Sequence, residues 1–163
     1  MLSTKSLNPE LPDPDKQVRQ TKARRGNPNM FRKTVVGAPV TGLAAIKIIR
    51  DGYSASILKS ASSFFNVPDA RIQNIARVSA TTASRLQHNK AKIDSAATER
   101  IYRMSVVARM AIDVFEDQDA AIAWMGEPNR VFEGAAPLDL MDTELGAVAV
   151  KQVLNAIATG GVA

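Results

Sequence analysis

Between Ser95 and Glu116 apolar side chains recur every three or four residues, at Ile101, Met104, Val107, Ala108, Ala111, Ile112 and Phe115. That spacing gathers them on one stripe of a helix about 30 Å long. A helix of that length crosses a small domain from side to side, so the rest of the chain has to pack around it. Asp94 stands where an N-cap is needed, just after the basic loop Asn89 to Lys92. Strand-type alternation is found nowhere, and Val35 with Val36 is too brief to build a sheet. The fold class expected is all-α, with no significant sheet.

Shorter helices are predicted on both sides. Thr41 can cap a helix carrying Leu43, Ile46, Ile48 and Ile49 until Asp51 and Gly52 end it. Ser54 to Phe65 follows, with Ile57, Leu58, Ala61, Phe64 and Phe65 on its buried side. Pro68 and Asp69 suit the first turn of a third helix, because Pro lacks a donor that would go unpaired there and Asp meets the positive helix end. This helix turns Ile72, Ile75 and Ala76 inward, and Ser79 caps a fourth, ATTASRLQHN. Near the end of the chain, Glu144 to Thr159 repeats the helical pattern with Leu145, Val148, Val150, Val153, Leu154 and Ile157.

Phe115 to Gly146 joins the long helix to this last one and holds the sole Trp. Ala120, Ala121, Ala123, Trp124 and Met125 make a compact apolar helix that Gly126 and Pro128 stop, and a new turn starts at Pro137, Leu138, Asp139 and Leu140. A helical hairpin with Trp124 packed inside is the expectation. Asp139 is expected to cap or pin its own turn, and Glu144 to sit in the first turn of the last helix, where a carboxylate is favoured.

At 163 residues the chain is long enough to bury a core. With no Cys and one His, His88, there is no disulfide framework, thiolate nucleophile or zinc cluster. A His acting alone, without a phosphate loop or a close carboxylate pair, makes an enzyme the least supported class, and no cofactor or metal is expected. No apolar run approaches the roughly 18 residues of a transmembrane helix, and Met1 to Asn8 lacks a signal-peptide core, so a cytoplasmic protein is expected. Lys and Arg outnumber Asp and Glu by eight to three in residues 1–33 and eleven to six in 34–116, but are outnumbered two to seven in 117–163. A basic front and an acidic back suit a protein that meets a polyanion with one part and something else with the other. Residues 1–38, rich in Pro, Asn and charge at their start, are expected to form a disordered basic arm.

Ile72 to Leu86 has the layout of a helix-turn-helix, with Val78 plugging between two short helices and the second polar outside. Arg85 can donate two bonds to a guanine edge, Thr81 and Thr82 can touch thymine methyls, and Ser79 or Ser84 can reach a phosphate. His88 shares the outward face, and Lys90 and Lys92 add sequence-blind attraction to phosphates. Arg77 argues the other way, since the turn before Val78 favours Gly. A plain helical corner is the competing account. A single helix-turn-helix contacts little DNA, so a homodimer is expected.

The C-terminal stretch resembles the toxin-binding domain of the Xre, MbcA and ParS antitoxins, partners of RES-domain toxins. That domain runs roughly VFGD-x-x-x-A-x-x-W-L-x-x-PN, a Gly, PLDLL-x-T-x-x-G and a hydrophobic helix. Val114, Phe115, Asp117, Ala121, Trp124, Met125, Pro128, Asn129, Gly134, Pro137 to Met141, Thr143, Glu144 and Gly146 stand in the same order at similar spacing. Upstream, Val78 to Arg85 looks like the family's helix-turn-helix core, so the resemblance covers about residues 42–163. The chain departs from it at Arg77 and Glu116, where Gly is usual, and at Phe132 and Glu133.

The resemblance implies an antitoxin that neutralises a RES-domain, NAD-consuming toxin by occluding its active site and represses its own operon by binding operator DNA. It implies a helix-turn-helix region at 39–93 and a toxin-binding domain at 94–163. Toxin contact is then expected at Asn155, Thr159, Gly160, Gly161, Val162 and Ala163, the glycines letting a short apolar tail and its carboxylate enter the toxin's cleft. A stand-alone helix-turn-helix repressor, using the C-terminal part only to dimerise, is the alternative.

Overall fold

The computed structural model describes residues 28–161. Every regular element among them is helical, and the nearest approach to a sheet is one isolated antiparallel bridge between Ser54 and Lys92. In order they are α1 (Pro28–Val36), α2 (Gly42–Asp51), α3 (Ser56–Phe65), α4 (Asp69–Ala76), α5 (Ala80–His88), α6 (Ser95–Phe115) and α7 (Gln118–Gly126). Two 3₁₀ turns, Arg130–Phe132 and Pro137–Asp142, lead into α8 (Glu144–Ala158). None of these helices is long and apolar enough to cross a membrane.

α6 is the central strut. Ile101, Met104, Val107, Ala108 and Ala111 are all buried along it, and α1, α2, α4, α7 and α8 pack on it. Asp94 caps its start by accepting from the Ala97 amide at 2.7 Å. Its end is sharp because Glu116 takes the left-handed conformation, φ 53°, and Asp117 at once caps α7 through the Ala120 amide at 2.7 Å. Thr41 holds the N-cap position of α2, but its side chain makes no capping bond.

Residues 28–36 depart from the expected disordered arm. They form α1, and Phe31 and Val35, one turn apart, are buried completely. Phe31 packs against Phe64 and Phe65 with ring centroids 5.2 and 5.5 Å away, and its amide donates to Ser60 Oγ at 2.7 Å. Arg109 of α6 fixes the other end by donating to the Thr34 and Gly37 carbonyls. Two large side chains docking on a neighbouring helix give α1 a stability that its own polar sequence does not. The rest of the arm, residues 1–27, lies outside the described residues.

One hydrophobic core runs through the whole described chain, from Phe31 to Leu154. The expected division at residue 93 is therefore not a gap in the packing, and Ile93 itself is buried.

Candidate functional site

The candidate residues lie on two surfaces, one around the turn between α4 and α5 and one around α8. α4 ends in a Schellman motif: the Val78 amide donates to Gln73 O at 2.9 Å and the Arg77 amide to Asn74 O at 3.1 Å. Arg77 itself is left-handed, φ 56°, the conformation the sequence pattern wants from Gly. It is held there with help from its side chain, which donates to Asp142 at 3.1 Å. Ser79 then caps α5 by accepting from the Thr82 amide at 3.1 Å, and donates to the Thr82 hydroxyl at 2.9 Å.

Ala83 of α5 is buried and Leu86 half-buried, so Thr81, Ser84, Arg85 and His88 all lie on the solvent side. Thr82 is only half-exposed and shares its hydroxyl with Ser79. A second Schellman motif closes α5, with Lys90 left-handed at φ 51° and the Ala91 amide donating to Leu86 O at 2.8 Å. Lys90 is exposed directly beyond the helix end. Ser79, Thr81, Ser84, Arg85, His88 and Lys90 thus share one polar, cationic face.

The C-terminal site is assembled by the hairpin. Trp124 of α7 lies between Phe115 and Phe132, with centroids 5.6 and 6.4 Å away, so Phe132 in the linker completes an aromatic cluster with tilted and edge-on rings. Leu138 and Met141 of the second 3₁₀ turn are fully buried. The expectation that Asp139 pins its own turn is corrected. Its carboxylate receives a bidentate pair from Arg71 of α4, Nε at 2.7 Å and Nη2 at 2.9 Å, while Nη2 also donates to Gly126 O at 3.0 Å. A guanidinium fork matches a carboxylate better than the turn's own amides do. The Asp139 amide instead donates to Ala136 O at 3.0 Å.

Glu144 does sit in the first turn of α8, where Thr143 supplies the cap by accepting from the Gly146 amide at 3.1 Å. Buried Arg103 of α6 reaches the same corner. It donates to Met141 O at 3.1 Å and pairs with Glu99 at 2.5 Å, while its Nε lies 2.9 Å from Glu144 Oε2 without hydrogen-bond alignment. Gly146 is forced by close approach, because a Cβ there would stand 2.1 Å from Leu140 O.

α8 buries Ala147, Val150 and Leu154. Its opposite side carries Leu145, Val148, Gln152, Asn155 and Thr159 in exposed positions stepping by three or four. Leu145 is 83 % exposed and Val148 38 %, although both belong to the apolar pattern of the helix. The structure therefore brings Asn155 and Thr159 onto one stripe with two apolar residues that the sequence-based site omits. Gly160, φ 75°, ends the helix in a third Schellman motif, and the Gly161 amide donates to Ala156 O at 2.7 Å. Val162 and Ala163 lie outside the described residues.

A helical hairpin with an aromatic cluster thus fastens the half-exposed α8 to a larger helical body. Residues 110–160, from the last turns of α6 to the end of α8, match the family described as the antitoxin Xre/MbcA/ParS C-terminal toxin-binding domain. The chain thus carries a region similar to the toxin-binding domain of the Xre/MbcA/ParS antitoxins. It is similar to an Xre antitoxin of Yersinia enterocolitica, 26% identical over 127 residues that cover 77% of this chain and 86% of that one. A Photorhabdus laumondii Xre antitoxin is 27% identical over 141 residues, 86% of this chain and 95% of the relative. A shorter match, 30% identical over 63 residues, joins it to an Xre antitoxin of Pseudomonas putida, covering 39% and 40% of the two chains.

Proposed function

We propose that the chain captures and neutralises a RES-domain toxin with the exposed stripe of α8 and the residues after it, occluding the toxin's active site. As a homodimer it also binds operator DNA with the outer face of α5. The observation that carries the toxin half is the exposure of Leu145 on a helix whose other side is fully packed. Soluble chains seldom leave a large apolar side chain that open beside a second one unless a partner covers them. Gly160, left-handed at φ 75°, turns the chain off the axis of α8 at the point where these last residues begin. The DNA half rests on the solvent-facing row Thr81, Ser84, Arg85 and His88, with Lys90 at its end. Arg85 has no ion-pair partner among the described residues and is available for a base edge.

Co-expression with a cognate RES-domain toxin tests the first half. Leu145→Glu, and separately removal of residues 160–163, should each abolish capture and protection of growth. Full neutralisation by both variants would sink this assignment. For DNA, Arg85→Ala should cost about 1 to 3 kcal/mol at the operator. Lys90→Gly removes a charge at a left-handed position that Gly prefers, so it should lower the salt dependence of binding with no loss of stability. If both variants bind like the parent across a salt titration, α5 is not the DNA-reading helix.

A further inference from the structure

The first turn of α8 holds a charge contact that the packing of the domain leaves incomplete. The Arg103 side chain on α6 is only 9 % exposed. Its Nη1 donates to Met141 O in the second 3₁₀ turn, and its Nη2 pairs with Glu99 one turn back along α6. Nε is buried as well and makes no hydrogen bond. A buried donor without an acceptor has given up its water for nothing, so native proteins seldom keep one.

Glu144 stands against that donor. Its Oε2 is 2.9 Å from Nε but out of line for a hydrogen bond, and its Oε1 is 4.0 Å from Lys151 Nζ, beyond hydrogen-bond reach. The carboxylate side chain is 60 % exposed. Thr143 already caps α8 through the Gly146 amide, so the cap does not call on Glu144. Residues 144, 148, 151 and 155 step by three and four along the helix. Glu144 therefore flanks Val148 and Asn155 at one edge of the exposed stripe, with Leu145 at the other edge.

We propose that Glu144 is a recognition carboxylate for the toxin and that Arg103 presents it. Oε1 receives a cationic side chain of the toxin at the edge of the α8 stripe, while Arg103 holds Oε2 from beneath. A carboxylate has lone pairs enough for both. Covering the stripe removes water from Glu144, and in the lower dielectric its attraction to Nε strengthens. Docking thereby gives the buried donor its acceptor at the same time as it gives Oε1 a partner. A cation is the partner this surface suits, since residues 117–163 carry seven Asp and Glu against two Lys and Arg. Glu144 is the contact, and Arg103 is a positioning residue that acts through it. The inference rests on the α8 stripe as the toxin-binding surface and adds a charged contact of stated chemistry.

Association of the purified full chain with a purified cognate RES-domain toxin, followed across a salt titration, tests it. Glu144→Gln, at an exposed site, should weaken capture about tenfold, largely through slower association, and flatten its salt dependence. Glu144→Lys should weaken it further. Arg103→Lys keeps a cation but cannot reach Met141, Glu99 and Glu144 together, so it should weaken capture by about the same factor with helical circular dichroism unchanged. Added to Glu144→Gln, Arg103→Lys should cost little more, because its effect runs through that carboxylate. Losses that simply add overturn the positioning role. Glu144 variants that match the parent at every salt concentration overturn the inference whether or not Arg103→Lys folds, and the α8 surface then stands if Leu145→Glu still abolishes capture. Capture that survives Leu145→Glu removes the surface and this contact together.

Discussion

Left-handed backbone at side-chain-bearing residues is where this chain differs most from what local sequence rules would choose. Asn66, Arg77, Lys90, Glu116 and Glu133 all have positive φ, and Cβ there costs up to about 1 kcal/mol per residue relative to Gly. Glu116 is the clearest case, since it sits exposed between α6 and α7 with no ion pair among the described residues. Glu116→Gly should therefore stabilise the protein by about 0.5 to 1 kcal/mol in urea denaturation. Arg77→Gly relieves the same strain but loses the contact to Asp142, so its net change should be near zero. Both positions were identifiable from the sequence as places where Gly is usual. That Arg77 adopts the Gly conformation anyway follows from its Schellman bonds and the packing on either side, which short-range preference does not contain. Asp139 is the opposite case. Its partner Arg71 lies 68 residues away in sequence, and no local rule could have selected that Arg over the turn's own amides.

At the scale of elements, the two glycines of the hairpin make a matched pair. Nothing lies within 4 Å of a Cβ added to Gly126 at the end of α7, whereas one added to Gly146 meets Leu140 O at 2.1 Å and Leu140 Cβ at 2.9 Å. Gly126→Ala should accordingly be neutral or stabilising by up to about 1 kcal/mol. Gly146→Ala should destabilise by about 1 to 3 kcal/mol, because α8 must lift off the 3₁₀ turn. Thermal unfolding of the two variants side by side would show the opposite signs. The elements themselves were largely legible, since α3 to α8 begin and end within about two residues of caps and breakers visible in the sequence. Which face of each helix goes inward was harder. α8 has apolar residues around most of its circumference, so Leu145 and Val148 fit the periodic pattern as well as Val150 and Leu154 do. Only the position of α6 and the second 3₁₀ turn decides which set is buried. α2 poses the same ambiguity with Leu43 and Ala45, and α1 hides it differently, through two core residues in an otherwise polar segment.

For the molecule as a whole, the shared core predicts a single cooperative transition rather than separate melting of the regions before and after residue 93. Trp124 is the sole Trp and reports the C-terminal hairpin, while far-ultraviolet circular dichroism reports every helix. Their urea midpoints should coincide, and two resolved midpoints would show that the regions unfold independently. Asp139 with Arg71 and Asp142 with Arg77 add polar fastenings across that core. Both pairs are partly exposed, 27 % and 46 % for the first and 56 % and 35 % for the second, which limits each to about 1 kcal/mol or less. The importance of the Arg77 pair is of another kind, because one side chain belongs both to the turn before α5 and to the segment leading into α8. If operator and toxin bind as proposed, a ligand that draws Asp142 aside alters the constraint on that turn, and one that reorients the turn alters Asp142. Whatever factor by which capture of the toxin changes affinity for the operator, occupancy of the operator must change affinity for the toxin by the same factor.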